Sequence, residues 1–376
     1  MIKKTLAILL LACMMLAMAA CGQTAAPAPA EQPAEAPAEQ PAEAPAEAPA
    51  EAPVEEPVEE PAPEPVTYRL GMGVSLNTDS SKTGNAQVDA TFAAVVLDEA
   101  GKILCAKLDV AQNKMDVTDG QVDTEKEFKT KLELGDDYNM AKFSDAVAEW
   151  YDQAAAFEAY IIGKTADEVA GMETVVNDEG HEVTTDETLY ASCSISIGDF
   201  KEAIVKACND DQGIDVILPA GDTFSLGIAA ISTSDESTPA GDEDGVVKMY
   251  TDYAAVIVDP DGKILAALTD ATQPQIKINS AGEIVESTFK GTKRELKEDY
   301  NMVKFSDATR EWYEQAASFC EFAAGKTVDE LRATELKLND EGHMVFVDET
   351  LFASVSISVD GFIDVVTKAA ENAPAL

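Results

Sequence analysis

One long stretch occurs twice in this chain of 376 residues, and the duplication limits the folds that the chain can adopt. The first copy spans residues 137–155 and the second spans residues 299–317. The two tryptophans of the protein, Trp150 and Trp312, occupy matching places in these copies. A stretch that returns at a fixed offset indicates duplication of a whole structural unit, so each copy is expected at the centre of one repeat.

Each repeat has the same predicted order of elements: an opening strand, a hairpin, a central helix, a short helix, a final strand and a final helix. The hairpin turns, residues 98–102 and 259–263, contain the Asp and Gly that tight turns favour. Strands and helices are grouped rather than alternating as β-α-β units. We therefore predict an α+β fold with two tandem homologous domains, each an antiparallel sheet with packed helices.

The central helix is predicted from an apolar stripe. Apolar residues recur from Phe143 to Ile161 at steps of three and four, and a similar stripe starts at Phe305. Two interpretations of Trp150 and Trp312 are open: core side chains beneath a sheet, or an aromatic platform for a flat ligand. An apolar stripe at helical spacing is usually buried, which favours the core.

Composition divides the chain into four parts. Residues 1–20 are predicted to be a signal peptide, 21–66 a lipid-anchored acidic tether, 67–212 the first α+β repeat and 222–376 the second. Residues 23–66 are mostly Pro, Ala and Glu, with no aromatic residue, Lys or Arg. Such a segment cannot bury enough apolar surface to offset the entropy of ordering, so we predict a disordered, extended spacer.

The N-terminus carries the features of an export signal. Two lysines precede an apolar run from Leu6 to Ala20, which is too short to span a bilayer as a mature helix. Small residues then precede Cys21 and Gly22, and this junction resembles the lipobox of bacterial lipoproteins, although that family prefers Leu where Met18 stands. The resemblance implies cleavage before Cys21, lipidation (palmitate included) of this cysteine, and anchoring to the extracytoplasmic face of the cell membrane. An ordinary signal peptide is the alternative.

The charge of the chain bears on its partners. The formal net charge is −43, spread over the tether and both repeats. Nucleic-acid binding requires basic patches, so we expect no nucleic-acid partner. Electrostatic docking on anionic lipid is disfavoured for the same reason, and membrane contact would have to come from the lipid anchor.

Four cysteines lie in the repeats, and none is matched by a cysteine in the other repeat: Cys105, Cys193, Cys208 and Cys320. No shared disulfide or metal framework therefore defines the fold. We expect free thiols, and a disulfide between Cys193 and Cys208 is the alternative.

The two histidines of the protein, His181 and His343, occupy matching places after an Asn-Asp-Glu-Gly stretch. They are either one metal ligand or acid-base group per repeat, or the residues that follow a tight turn. The turn is favoured, because neither repeat offers a second histidine for a metal site. We also find no pattern typical of a phosphate loop or of a nucleophile with its base.

Residues 189–200 and 351–362 precede the final helix in each repeat. With the order of the other elements, they make each repeat similar to the FMN-binding domain of bacterial surface electron carriers. In that family a transferase links FMN through its phosphate to a threonine hydroxyl. Ser194 and Ser356 fall at this position. The resemblance implies that these two serines are FMN attachment sites.

The motif departs from that family around both serines. Ser192 and Ser354 stand in place of the glycine, and Cys193 and Val355 in place of the alanine. The alternation of polar and apolar residues from 194 to 197 also predicts a plain half-buried strand.

Two functions follow as expectations. The first is a non-enzymatic, membrane-anchored extracytoplasmic lipoprotein that displays two domains for binding or structural work, with an unidentified small-molecule or protein ligand and no cofactor. The alternative is an FMN-carrying electron-transfer protein.

The anchor can be tested directly. We expect the mature protein to begin at Cys21 and to carry lipid, and we expect Cys21→Ala to release it from the membrane fraction. Intact mass after growth with and without globomycin, an inhibitor of lipoprotein signal peptidase, measures the processing. A mature chain without lipid on Cys21 would contradict the prediction.

Overall fold

The structure is a computed structural model, and it describes residues 64–374. Cys21, the signal peptide and nearly all of the predicted tether lie outside the described residues. The described residues all belong to one compact unit.

The first repeat, together with the segment that follows it up to residue 219, contains six strands and six helices. The strands are β1 (Pro65–Asn77), β2 (Asn85–Leu97), β3 (Ile103–Asp116), β4 (Thr174–Val176), β5 (Glu182–Thr184) and β6 (Ile214–Pro219). The helices are α1 (Lys131–Leu134), α2 (Met140–Phe143), α3 (Trp150–Ile161), α4 (Ala166–Ala170), α5 (Glu187–Tyr190) and α6 (Gly198–Cys208), with a 3₁₀ turn at Gly135–Tyr138.

The second repeat has the same order of helices, but it has eight strands. Its strands are β7 (Ser225–Thr233), β8 (Gly245–Lys248), β9 (Tyr250–Val258), β10 (Ile264–Thr272), β11 (Gln275–Ile278), β12 (Ile284–Thr288), β13 (Leu336–Leu338) and β14 (Met344–Phe346). Its helices are α7 (Lys293–Leu296), α8 (Met302–Phe305), α9 (Trp312–Ala323), α10 (Val328–Arg332), α11 (Glu349–Ser354) and α12 (Asp360–Glu371), with a 3₁₀ turn at Lys297–Tyr300.

Every strand pairing is antiparallel, and the predicted α+β class is confirmed. One sheet has the order β3-β2-β1-β6, a second β10-β9-β7, and a third β12-β11-β8. Two small hairpins, β4-β5 and β13-β14, carry the turns that precede the histidines.

The two main sheets pack against each other and share one apolar core. Phe92 and Tyr253, which occupy matching positions on β2 and β9, lie with their rings 5.2 Å apart. Tyr68 and Phe224 form a second such pair, also at 5.2 Å. Contact between matching residues is the property of an interface with two-fold symmetry, so the repeats are arranged as an internal pseudo-dimer. The opposite face of each sheet is covered by its own helices, with Trp150 in one core and Trp312 in the other.

Matched glycines bring the last helix of each repeat close to its opening strand. A Cβ on Gly71 would lie 2.0 Å from the carbonyl oxygen of Ala207, and a Cβ on Gly227 would lie 2.0 Å from that of Ala369. Neither distance is possible for real atoms. These two strand positions therefore require glycine for the helix to pack as it does.

Ion pairs join the repeats around the shared core. Lys206 pairs with Glu295 at 3.1 Å, and the symmetry-related Lys368 pairs with Glu133 at 2.7 Å. A third pair, Arg294 with Asp210 at 3.0 Å, is almost fully buried, each side chain being 7% exposed.

The central helix begins later than predicted. Helix α3 starts at Trp150, whereas Phe143 ends the separate helix α2 and is 77% exposed; Phe305 is 76% exposed. Ser144 ends α2, because its hydroxyl donates to the Met140 carbonyl at 2.8 Å and its backbone turns to an extended conformation. Trp150 and Trp312 are both 2% exposed and pack in the cores of their repeats, as the favoured interpretation predicted, and Trp312 also borders a cavity.

The final strand predicted before the last helix is wrong. Residues 191–197 form no strand and lie between helices α5 and α6. The backbone N–H of Ser194 donates to the side-chain oxygen of Gln153 at 2.9 Å, so a buried side chain replaces the strand neighbour that the alternating pattern suggested.

The buried Arg294–Asp210 pair should stabilise the association of the repeats. Arg294→Met leaves Asp210 buried without its counter-charge and should lower the free energy of unfolding by about 3–5 kcal/mol. The matched control is Arg332→Met, which breaks a half-exposed pair with Glu371 inside one repeat and should cost less than about 1 kcal/mol.

Urea unfolding followed by tryptophan fluorescence measures both losses. Trp150→Phe and Trp312→Phe backgrounds report the two repeats separately, and the shared core predicts coincident transitions in both. Equal losses for Arg294→Met and Arg332→Met would contradict the role assigned to the buried pair.

Candidate functional site

The second repeat contains a cavity of about 550 Å³. The residues around it come from β9, α7, α8, α9, the β13-β14 hairpin and the segment that leads into α12. They are Glu236, Tyr250, Asp252, Gln273, Lys293, Met302, Ser306, Asp307, Ala308, Trp312, Asn339, Glu341, His343, Phe352, Ser356, Ile357, Ser358, Asp360, Gly361 and Phe362. This volume suits a small organic molecule.

Lys293 lines the cavity, and its amine lies among aromatic rings. Lys293 is 7% exposed, and its Nζ lies 4.7 Å from the ring centre of Tyr250, 4.9 Å from Tyr300 and 5.2 Å from Trp312. Helix α7 positions this side chain. The helix begins with a capping box, in which the Thr292 hydroxyl accepts from the Glu295 N–H and the Glu295 carboxylate accepts from the Thr292 N–H.

Lys293 is connected to a carboxylate through a tyrosine. Its Nζ donates to the Tyr250 hydroxyl at 3.3 Å, and that hydroxyl donates to Oδ1 of Asp252 at 2.8 Å. Tyr250 and Asp252 are neighbours on one face of β9, because strand residues two apart point the same way. The three side chains form a continuous chain of hydrogen-bonding groups along the cavity wall.

Burial shifts the protonation of these groups. Burial lowers the pKa of Lys293 to about 8, although Asp252 and Asp270 oppose the shift. Burial likewise raises the pKa of Asp252 to about 6, against the effects of the Tyr250 hydroxyl and of Lys293. Both groups therefore titrate closer to neutrality than exposed ones, which is common at functional sites.

A buried aspartate supports each lysine-bearing helix from beneath. Asp270 accepts from the backbone N–H of Arg294 at 3.0 Å, and Asp109 accepts in the same way from Leu132. Burial raises the pKa of Asp270 to about 6 and that of Asp109 to about 7. The pairing is identical in the two repeats and fixes the start of helices α1 and α7.

The rest of the cavity wall is acidic. Besides Asp252, four carboxylates line it, and Lys293 is its one lysine or arginine; the four are Glu236, Asp307, Glu341 and Asp360. At neutral pH this lining favours a neutral or cationic ligand over an anionic one.

The two serines that the FMN resemblance implies make the same hydrogen bond to a glutamine in both repeats. The Ser356 hydroxyl donates to Oε1 of the buried Gln315 at 3.2 Å, and the Ser194 hydroxyl donates to Gln153 at 3.1 Å. Ser356 lines the cavity. The structure thus brings Ser356 together with the lysine site, and it places Ser194 at the equivalent position of the first repeat.

The first repeat keeps only part of the lysine site. Lys131 lies 4.9 Å from the ring centre of Tyr138 and 5.4 Å from that of Trp150. Counted back from the hairpin turn, Asp89 stands where the second repeat has Tyr250, and Thr91 stands where it has Asp252. The tyrosine–aspartate connection is therefore a feature of the second repeat.

The histidines differ in placement. His181 and His343 both follow turns closed by an asparagine side chain, Asn177 or Asn339, which accepts from the histidine N–H. The predicted turns are present in both repeats, and His343 also lines the cavity, with Nδ1 3.4 Å from the Ser358 hydroxyl. Between residues 64 and 374, no three His, Cys, Asp or Glu side chains are grouped to hold a metal ion.

The four cysteines of the repeats are free thiols, as expected. Burial raises the pKa of Cys193, Cys208 and Cys320 to about 11 each. These thiols are thus protonated near neutrality and are poor nucleophiles.

None of the helices within the described residues has the length and apolar character needed to cross a membrane.

Comparison with known proteins gives one similarity. The chain is 30% identical over 116 residues to a chlorophenol reductase of Desulfitobacterium hafniense. That alignment covers 26% of this chain and 36% of the reductase, so the chain spans about a third of that relative's length. No protein-family model and no solved structure matches the chain.

Sequence reasoning missed Lys293, Tyr250 and Asp252. A signal for Lys293 existed, because a Thr-Lys pair followed by Glu recurs at residues 130–133 and 292–295. Gln153 and Gln315 are a similar signal, since each is a polar residue kept in an apolar stripe. Tyr250 and Asp252 had no such signal, because the first repeat lacks them.

Proposed function

We propose that this protein is a lipid-anchored extracytoplasmic binding protein that holds a small planar organic molecule in the cavity of its second repeat. The observation that carries the proposal is the cavity itself, with Lys293, Tyr250 and Trp312 among the residues that line it. The lipobox at Cys21 and the acidic tether support the location. They would place the repeats outside the membrane at a distance from its surface.

The chemistry of the lining narrows the ligand. The aromatic side chains Tyr250, Trp312 and Phe352 suit a flat apolar ring. The carboxylates around them favour a neutral or cationic molecule. A ligand with a free carboxylate or phosphate would meet several negative groups and one lysine.

Matched probes test this selectivity. We expect 4-(trimethylammonio)benzyl alcohol to change the fluorescence of Trp312 and to bind at least about tenfold more tightly than 4-(hydroxymethyl)benzoate, a difference of about 1.4 kcal/mol. Added salt should reduce the difference, because it screens the carboxylates.

Titration of the Trp150→Phe variant isolates the Trp312 signal, and the Trp312→Phe variant is the control that should not respond. Equal binding of the two probes, or no response to either, would count against the proposal.

A second candidate is the FMN-carrying protein implied by the resemblance. The specific observation in its favour is that Ser356 lines the cavity, so a flavin attached there would have space beside Trp312. The similarity of part of the chain to a reductase also fits a redox cofactor. Against it, free FMN carries a phosphate dianion, which the acidic lining disfavours; attachment would therefore depend on a transferase.

Co-expression with a flavin transferase separates the two candidates. If the second holds, the purified protein is yellow, its mass increases by one phosphate-linked flavin, and Ser356→Ala removes the adduct whereas Ser194→Ala leaves it in place. A colourless protein of unmodified mass would eliminate the flavin candidate and leave the binding proposal intact.

A further inference from the structure

The amine of Lys293 is buried without an ionic partner. Its Nζ donates only to the Tyr250 hydroxyl, and it forms no ion pair with a carboxylate in the part of the chain from 64 to 374. Buried lysines are ordinarily paired with a carboxylate, since an isolated buried charge is costly. Lys293 also lines the cavity, so this residue borders the space that a bound molecule would occupy.

We propose that Lys293 is a nucleophile that captures a small aromatic aldehyde or ketone in the cavity as a Schiff base. The inference rests on the proposed function, because it specifies the ligand that the cavity binds. The flat ring is held among the aromatic side chains, and the carbonyl group points inward to the amine.

The reaction needs no oxidant or reductant. The neutral amine nitrogen attacks the carbonyl carbon, a C–N bond forms, and the carbonyl oxygen takes up a proton. The carbinolamine then loses its hydroxyl group as water while the nitrogen gives up its remaining proton. The sum is one amine and one carbonyl compound converted to one imine and one water, and hydrolysis reverses it.

Tyr250 and Asp252 are placed to move the proton. The Tyr250 hydroxyl lies 3.3 Å from the lysine nitrogen and donates to Asp252 at 2.8 Å. A proton released by the attacking amine can pass to the Tyr250 oxygen while the tyrosine proton passes to Asp252. The same groups can return a proton to the departing hydroxyl. Asp252 is suited to this exchange, since burial raises its pKa to about 6.

The protonation of the amine supports the inference. With its pKa lowered to about 8 by burial, Lys293 reaches its neutral form nearer to neutral pH than an exposed lysine does. The charged groups that act on it are Asp252 of β9, Asp270 of β10 and Glu236. All three hold the pKa up, so burial outweighs them.

Lys131 provides an internal control. It occupies the matching place on α1 and is partly buried, and this desolvation lowers its pKa. However, Asp89 replaces the tyrosine, and its carboxylate favours the charged form of Lys131. Asp89 is in turn held by the side chains of Gln87 and Gln112. Lys131 should therefore react more slowly.

Reductive trapping tests the inference on the folded repeats of the full chain. The protein is incubated with 4-(trimethylammonio)benzaldehyde and cyanoborohydride, then digested and mapped by mass spectrometry. We expect Lys293 to be labelled at least about tenfold faster than Lys131, with a rate that rises from about pH 7 to pH 9 as the amine loses its proton. 4-Formylbenzoate should label Lys293 more slowly.

Two variants separate chemistry from folding. Lys293→Arg keeps the charge and should abolish the fast adduct. Tyr250→Phe keeps the ring and should slow trapping by about tenfold, the lower range for loss of one proton-transfer group. Unfolding midpoints confirm that each variant is folded, and peptide mapping of the unaltered protein decides the outcome if a variant is not.

The outcomes distinguish this inference from the proposed function. If the benzyl alcohol binds but Lys293 reacts no faster than Lys131, the nucleophile is excluded and the binding protein stands. If neither the alcohol binds nor the aldehyde is trapped, both are overturned. Fast labelling that persists at another residue in Lys293→Arg would also exclude Lys293.

Discussion

The packing of the two main sheets on each other is the interaction on which the rest of the structure depends. Strands β2 and β9 are buried on both faces, one against the helices of their own repeat and the other against the opposite sheet. Burial of apolar side chains in this shared layer, including Phe92 and Tyr253, contributes about 25 cal/mol for each Å² removed from water. Neither repeat can complete this layer alone, so the duplication supplies the second half of the core.

The same packing brings the polar groups of the site together. The first residues on the helix-facing side of β9 are polar, and its apolar core residues on that side start at Ala254. Tyr250 and Asp252 lie at this transition, which explains why they are largely enclosed and yet face a cavity. Lys293 is brought to them by a helix whose start is fixed by the buried Asp270. The site thus forms on the face of β9 that the helices cover, while the other face of this strand packs against the opposite sheet.

The two repeats share the residues that position the lysine, but they differ in the side chains beside it. Both retain the lysine, the supporting aspartate, the tryptophan and the glutamine that holds the serine. Only the second has a tyrosine between lysine and aspartate. Replacing Asp89 by its counterpart Tyr250 exchanges a direct negative charge for a hydroxyl that can relay a proton. Together with Asp252 in place of Thr91, this difference connects Lys293 to a hydrogen-bonded tyrosine and aspartate that Lys131 lacks.

The sequence by itself determined the duplication, the α+β class, the antiparallel hairpins and the burial of Trp150 and Trp312, because periodicity and turn chemistry are local. The apolar pattern predicted that the central helix starts at Phe143, which is too early. Ser144 ends the preceding short helix through a hydrogen bond that the apolar pattern does not reveal. It also predicted a strand at Ser194, where the buried Gln153 takes the place of a neighbouring strand. The pseudo-two-fold core and the meeting of Lys293, Tyr250 and Asp252 were decided only by the tertiary structure. Lys293 lies more than 40 positions from Tyr250 and Asp252 in the sequence. Contacts between such distant segments arise from the packing of whole layers, which no local pattern encodes.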